Sequence, residues 1–196
     1  MAKVPSSVAQ AMKKHENAPS PRERLGELFA KVDAFFARAR ARHGEAITCR
    51  AGCDDCCRRR FSVTTLEADA IREVVRRLGD EERRALARRA EEGDPDVCPA
   101  LDPDGRCAVY EARPLICRTH GLPIRFAASD GARRLPVLDA CPKNFGGQEL
   151  ASLDPSTVLD QQTLSTVLAA LDAAHADALG RPRAERVDIA ALAAGR

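Results

Sequence analysis

Eight cysteines constrain this chain more than any other feature, because all of them lie between Cys49 and Cys141. Four crowd into the nine residues from Cys49 to Cys57, and the other four follow at wider intervals. The eight are Cys49, Cys53, Cys56, Cys57, Cys98, Cys107, Cys117 and Cys141. Thiols concentrated in this way indicate convergence on a metal ion, an iron–sulfur cluster or a set of disulfides.

The beginning of the chain favours a metal or a cluster over disulfides. Residues 1–24 are polar and charged, without the apolar stretch of a secretory signal. No run approaches the ~18–20 apolar residues of a membrane span. We therefore expect a cytoplasmic protein without a membrane partner. Thiols stay reduced there, so the cysteines are expected to be metal ligands, with inert buried thiols and redox-active disulfides as alternatives.

The overall charge sets a limit on the partners of the chain. A net charge of +2 and a pI near 8.2 produce no strong field for nucleic acid or a membrane surface. Arg58, Arg59 and Arg60 directly follow the dense cysteines, either to contact a phosphate or to balance anionic thiolates. With aromatic residues at only 4%, charge balance is favoured and nucleic acid is not the expected partner.

A helix is predicted shortly before the cysteines. Ser20 has the features of an N-cap, with Pro21 at the first helical position and Glu23 three residues after the cap. Apolar residues then recur at helical spacing up to about Arg42, and Gly44 is expected to end the helix. Residues 1–19 are polar and are predicted to form a flexible arm.

Two more helices are predicted after the dense cysteines. The segment Thr64–Glu67 has the pattern of a capping box, and an apolar stripe follows until Gly79. Asp80 is expected to cap a strongly charged, mostly exposed helix that ends near Glu92.

The later half of the chain predicts a hairpin and a long helix. Residues 122–127 and 133–138 flank a turn-forming segment and are expected to pair as β-strands. Ser152 or Asp154 is expected to begin a helix that runs to about Leu179.

These elements predict a mainly α fold. Helices flank an irregular, cysteine-rich and metal-organised centre that carries a small β-hairpin. We expect residues 20–196 to form a single domain, with the cysteine-cluster core at 49–142.

The spacing of the dense cysteines suits ligation of one centre. Cys49, Cys53 and Cys56 are separated by three and then two residues, and a two-residue gap returns the next sulfur to the same ion. Cys57 is expected to point away from Cys56, because adjacent side chains in extended backbone face opposite sides. It would serve a second site or pack as a small apolar residue. The fourth ligand is sought among Cys98, Cys107, Cys117 and Cys141.

Three segments carry a resemblance to a known family. They are 49–57, 105–118 and the step Cys141-Pro142, with Cys98 before the turn at Gly105. Together they resemble the bacterial cysteine-cluster family with the CxxCxxCC motif, described as a zinc- or iron-chelating domain. The first gap here has three residues where the family name implies two. The resemblance covers roughly 49–142 and implies metal chelation by the cysteines.

Several polar residues lie between Cys107 and Cys117 or just after Cys117. Tyr110, Arg113 and Arg118 are predicted to contact the cofactor or a small anionic ligand beside it. The alternative is that they only fix the loop. Between the two arginines, charge balance is expected for Arg113 and anion binding for Arg118. His120 lies at a spacing that would allow ligation.

The function expected from these features is metal binding by clustered cysteines. An iron–sulfur cluster is the favoured cofactor and zinc is the alternative. A related cysteine-rich region occurs in flagellin lysine N-methylases, so an iron–sulfur enzyme of protein lysine methylation is a second hypothesis. A zinc-stapled protein-interaction module is the third. The sequence leaves open whether any reaction is catalysed, and the expected partners are the metal or cluster, with a small anion or a protein beyond it.

Overall fold

The computed structural model describes residues 18–129 and 134–196. Six α-helices in these ranges are joined by irregular segments and five short strands. The helices are α1 (Pro21–His43), α2 (Thr65–Arg77), α3 (Asp80–Glu92), α4 (Leu115–Thr119), α5 (Gln161–Ala178) and α6 (Ile189–Ala193). The expected mainly α fold is thus confirmed. The predicted arm, 1–19, lies outside the described residues except for its last two positions.

Local capping fixes the beginning of α1. The Ser20 hydroxyl accepts the Glu23 amide at 3.2 Å, and the Ser20 amide donates to the Glu23 carboxylate at 2.7 Å. Pro21 occupies the first turn, where no amide hydrogen is needed. The helix ends before Gly44, whose φ of 52° is a conformation that suits glycine. The predicted bounds of this helix are confirmed.

The main core is formed by buried residues of α1, α2, α3 and α6, with α2 packed against both α1 and α6, and α3 packed against α6. The capping box of Thr64 and Glu67 begins α2 as predicted. Gly79, not Asp80, is the N-cap of α3, and Asp80 is its first helical residue. The largest buried side chains of this core include Leu25, Val32, Val63, Leu66, Ile71, Leu86 and Leu192.

Two small sheets complete the architecture. Strands β1 (Ser62–Thr64) and β5 (Arg186–Asp188) pair antiparallel and bring the C-terminal helix α6 against the main core. Strands β2 (Ile124–Ser129) and β3 (Arg134–Asp139) form the predicted hairpin, shifted by one or two residues from the expected bounds.

The long helix begins later than the sequence indicated. Two short 3₁₀ turns and the strand β4 (Leu159–Asp160) occupy 150–160, and α5 begins only at Gln161. Strand β4 runs parallel to β2, and the Leu159 amide donates to the Pro123 carbonyl at 2.8 Å. Asp160 is the N-cap of α5, and its carboxylate accepts the Thr163 amide at 2.9 Å. A pairing with a strand more than thirty residues earlier therefore overrides the local helix signals at Ser152 and Asp154.

A second, smaller core lies on the other side of the cysteine-rich segments. It contains the end of α1, the beginning of β2 and part of the chain after Cys141. Its buried members are Ala39, Ile47, Leu122, Phe145 and Leu159. The cysteines divide between the two cores: Cys57, Cys98 and Cys107 pack against the main core, and Cys49 packs against the smaller one. None of the helices in 18–129 or 134–196 has the length and apolar character to cross a membrane.

Candidate metal centre

The dense cysteine segment coils through consecutive tight turns. The Cys53 amide donates to the Arg50 carbonyl at 3.0 Å, with Gly52 at a φ of 84° between them. A 3₁₀ turn follows over Asp55–Cys57, closed by a 2.8 Å hydrogen bond from the Cys57 amide to the Asp54 carbonyl. These turns keep the four cysteines on a short, tightly turned stretch of chain, as a loop that wraps around a metal requires.

The relation between Cys56 and Cys57 differs from the expectation. The expected extended backbone is wrong at this point, because both residues lie in the 3₁₀ turn. The Cys57 thiol lowers the pKa of Cys56 to about 7, and the Cys56 thiol in turn raises the pKa of Cys57. Cys56 therefore loses its proton more readily than Cys57.

Asn144 organises the surroundings of Cys49. This buried side chain accepts the Thr48 amide at 2.9 Å and donates to the Gly121 carbonyl at 2.6 Å. The same amide nitrogen lies 3.4 Å from the Cys49 sulfur, as a donor. The Asn144 backbone amide in turn donates to the Cys141 carbonyl at 2.8 Å. One residue thus links Cys49 to Cys141, which are 92 positions apart in the sequence.

Gly121 lies directly against Cys49. Its φ is 93°, and a Cβ atom built there would overlap with the Cys49 sulfur. Glycine is therefore required both by the backbone conformation and by the space that the thiol occupies.

A polar cavity of about 420 Å³ opens to solvent beside Cys53. Lys143, two residues after Cys141, lines it and forms an ion pair with Asp55. Thr48, Arg50 and Gly52 complete much of its wall. The side of the loop that carries Cys53 is therefore accessible from outside.

The later cysteines meet the dense segment through its last member. The Cys98 amide donates to the Cys57 carbonyl at 2.8 Å. From there the chain turns at Asp102, whose carboxylate accepts the amides of Asp104 and Arg106 at 3.0 and 2.7 Å. The turn brings Cys107 back into an isolated antiparallel bridge with Leu101.

Burial keeps these later thiols protonated. It raises the pKa of Cys107 to about 11 and that of Cys117 to about 12, and it also raises the pKa of Cys98. The neighbouring thiols of Cys98 and Cys107 further disfavour a thiolate at Cys117. A metal that binds here would release protons, because the ligand is the thiolate.

Glu67 holds the helix that carries Cys117. One oxygen of this buried carboxylate belongs to the capping box of α2, and the other accepts the Leu115 amide at 2.8 Å. The beginning of α4 is thereby fixed to α2. Sequence reasoning assigned Glu67 to its cap alone, since nothing local indicates a contact with a residue 48 positions later.

Arg118 points into the protein. Its guanidinium donates to Asp33 of α1 at 2.5 Å and to the carbonyls of Glu111 and Arg113 at 2.7 and 2.8 Å. It also lies over the Phe29 ring, 4.1 Å from the centroid, and its side chain is only 7% exposed. This geometry favours the structural alternative for Arg118 over anion binding.

Arg113 and Tyr110 lie on the solvent side of the contact between Arg118 and Asp33. Arg113 donates to Asp33 at 3.0 Å and to the Tyr110 hydroxyl at 2.6 Å, and stacks on the Tyr110 ring at 4.3 Å. Tyr110 itself is 60% exposed. His120 is half-buried, and burial followed by the charge of Arg59 lowers its pKa, so the imidazole is neutral at pH 7.

The donor set suits a thiophilic metal. All eight cysteines are free thiols in the described structure, and sulfur is the preferred ligand of zinc and of iron–sulfur clusters. Across 18–129 and 134–196, however, no three His, Cys, Asp or Glu side chains are gathered closely enough to hold one ion. The residues therefore fit the group by the chemistry of their thiols, and the sulfurs would have to move closer together to ligate one ion.

The fold and the thiols define a class: a mainly α protein with a cysteine-rich chelating centre. Residues 48–132 match the model of a family described as "CxxCxxCC: Putative zinc- or iron-chelating domain". The resemblance predicted from the cysteine motifs is thus confirmed over this segment, which is less than half of the chain. It includes seven of the eight cysteines and stops before Cys141. No curated protein and no solved structure matches the chain.

Proposed function

We propose that this chain is a metal-binding protein whose clustered cysteines hold an iron–sulfur cluster. The observation that carries the proposal is the coiled segment 49–57, which holds four free thiols in consecutive tight turns and meets Cys98 through a backbone hydrogen bond. The match to a chelating domain over 48–132 supports metal binding, and the choice of an iron–sulfur cluster is our inference.

Three features favour a cluster. Cysteine thiolates are the usual ligands of iron–sulfur clusters, and eight thiols exceed what one zinc ion takes. Cys98-Pro99 and Cys141-Pro142 are similar to the Cys-Pro step that follows some ferredoxin ligands. Asn144 donates toward the Cys49 sulfur, and hydrogen bonds to ligating sulfurs tune cluster potentials.

Zinc is the second candidate, and one observation favours it. Cys53 and Cys56 have the two-residue gap of structural zinc sites, in a tight-turned loop. A zinc centre would give a stapled module without redox chemistry. A bound cluster would supply electron transfer or Lewis acidity, while this chain's own residues hold Cys49 in place, partly bury Cys107 and Cys117, and leave Cys53 beside the open cavity.

The proposed setting is the cytoplasm, where eight thiols stay reduced. A small anion or a protein remains the proposed further partner. The exposed Tyr110 and Arg113, whose side chain is 23% exposed, are better placed for it than Arg118, whose donors are engaged by Asp33 and by carbonyls.

Anaerobic purification of the full chain tests the proposal. The visible spectrum is recorded together with iron, sulfide and zinc content. Broad visible absorption with matching iron and sulfide is the expected result. A colourless protein with stoichiometric zinc would replace the cluster by the second candidate. A protein that retains no metal, and takes up neither zinc nor a reconstituted cluster, would refute metal binding by these cysteines.

A further inference from the structure

We infer that the eight thiols form two separate four-cysteine centres, one open to solvent and one enclosed. The open centre consists of Cys49, Cys53, Cys56 and Cys141. The enclosed centre consists of Cys57, Cys98, Cys107 and Cys117. This division rests on the proposed metal binding and goes beyond it, because it assigns the number of centres and a different role to each.

The open set is joined by contacts on one side of the loop. Asn144 connects Cys49 and Cys141 through hydrogen bonds of 3.4 and 2.8 Å. Lys143, in the same turn, pairs with Asp55 and shares the solvent-open cavity with Cys53. Cys49 packs against the smaller core, not the main one. Cys49 therefore borders the smaller core and Cys53 borders the cavity, while Asn144 ties Cys141 to Cys49.

The enclosed set is joined by contacts on the opposite side. The Cys98 amide donates to the Cys57 carbonyl at 2.8 Å, and the turn at Asp102 returns Cys107 to a bridge with Leu101, three residues after Cys98. The three cysteines pack against the main core. Cys117 follows Leu115, which is buried in that core and fixed by Glu67.

The neighbouring residues Cys56 and Cys57 mark the boundary between the sets. They lie in one 3₁₀ turn, and successive residues in such a turn point in directions about 120° apart. Cys56 keeps the two-residue gap to Cys53, while the Cys57 carbonyl receives the Cys98 amide. One cysteine is thus given to each centre, and the two centres are adjacent.

The different surroundings give the centres different roles. Cys57, Cys98 and Cys107 of the enclosed set pack against the apolar main core, so a metal there would act as a structural staple. The open set borders a cavity of about 420 Å³ with both acidic and basic walls. A metal there is reachable by a small ligand, a reductant or a chelator. The open centre is therefore the site for any chemistry or exchange.

Zinc loading of the reduced full chain under argon tests the division. Zn²⁺ is the probe, because each ion takes four thiolates. We expect two zinc ions per chain after removal of excess metal. A coloured chelator in large excess should remove one equivalent rapidly and the second at least tenfold more slowly. The wild-type protein alone supplies both readouts, so a variant that fails to fold does not remove the test.

Two double variants then show which centre releases its zinc rapidly and which releases it slowly. Cys49→Ser combined with Cys141→Ser should retain one zinc and lose the fast phase, while the slow phase persists. Cys98→Ser combined with Cys107→Ser should lose the slow phase. One zinc per chain in the wild-type protein, or complete loss of metal in both double variants, would overturn the division without affecting metal binding. A chain that binds no zinc and no cluster would instead refute the proposed function.

Discussion

At the residue scale, the contact between Gly121 and Cys49 offers a sharp test of how the open centre is built. Gly121→Ala adds a methyl group where the Cys49 sulfur lies, at a φ of 93°. We expect the strained backbone to cost about 1–2 kcal/mol and the overlap with sulfur to add roughly 1–3 kcal/mol. Urea unfolding measures the change, and zinc content reports whether the open centre is lost.

A matched control separates strain from overlap. Gly147 has a φ of 77°, and a Cβ atom there would meet nothing within 4 Å. Gly147→Ala should therefore show only the strain of about 1–2 kcal/mol and retain both zinc ions. Equal destabilisation by the two substitutions would mean that the Cys49 sulfur does not occupy the position described.

The interactions of Arg118 make a second prediction at this scale. Arg118→Lys keeps the charge but cannot reach Asp33 and both carbonyls from one planar group. Because hydrogen bonds to charged groups contribute about 1.5–3 kcal/mol each, we expect a loss of about 2–3 kcal/mol in the free energy of unfolding.

Arg125→Lys is the control for this substitution. Arg125 pairs with Asp160 at 3.2 Å, but both side chains are exposed, so a change of at most about 1 kcal/mol is expected. If Arg118→Lys were as mild as Arg125→Lys, Arg118 would be free to bind an anion, as the sequence first indicated.

At the scale of elements, α5 adds a second capping contact to the beginning of α2, beside the capping box of Thr64 and Glu67. Asp172 of α5 is 3% exposed, and its carboxylate accepts the Thr65 hydroxyl at 2.8 Å and the Leu66 amide at 2.9 Å. Asp172→Ala leaves both donors buried without a partner. We expect a loss of about 2–4 kcal/mol, since each unsatisfied donor costs roughly 1–3 kcal/mol.

The exposed cap at Asp154 is the comparison for Asp172. Its carboxylate accepts only the Ser156 amide, at 2.9 Å, in a short 3₁₀ turn. Asp154→Ala should cost about 0.5–1 kcal/mol. Thermal unfolding of the two variants side by side measures the difference, and similar melting temperatures would show that the α5 to α2 contact contributes little.

The elements also show why sequence reasoning succeeded in some places and failed in others. The beginnings of α1 and α2 were predictable, because Ser20 with Glu23 and Thr64 with Glu67 lie within four residues of each other. The late start of α5 was not, because it depends on β4 pairing with β2. Hydrogen bonds within one turn leave a local pattern, whereas pairing over a long separation leaves none.

The candidate site follows the same rule. The cysteines could be predicted as ligands from their spacing. The role of Asn144 could not, although Asn144 lies three residues after Cys141. Its role depends on Thr48 and Gly121, which only the fold brings to it. Asp33 likewise lies in α1 without any local sign of its contacts with Arg113 and Arg118.

At the scale of the whole molecule, the helices and the cysteine-rich segments depend on different interactions. The main core is apolar and is formed largely by α1, α2, α3 and α6. The segments 49–62 and 93–142 are mostly irregular and contribute few large buried side chains. Metal ligation supplies folding free energy to such segments, so they should depend on it more than the helices do.

Metal removal should therefore loosen the protein unevenly. Under an anaerobic chelator we expect amide protection to fall most in 49–62 and 93–142, while α2 and the inner turns of α5 keep theirs. The two ends of helix α1 should respond differently, because Leu25 to Val32 belong to the main core and Ala39 belongs to the smaller core beside Cys49. Its last turns should exchange faster without metal, and its first turns should not change.

Hydrogen exchange followed by mass spectrometry measures this, with Cys53→Ser as a variant expected to lose protection mainly around the open centre. Unchanged exchange in 49–62 and 93–142 after complete metal removal would show that these segments are held by packing alone.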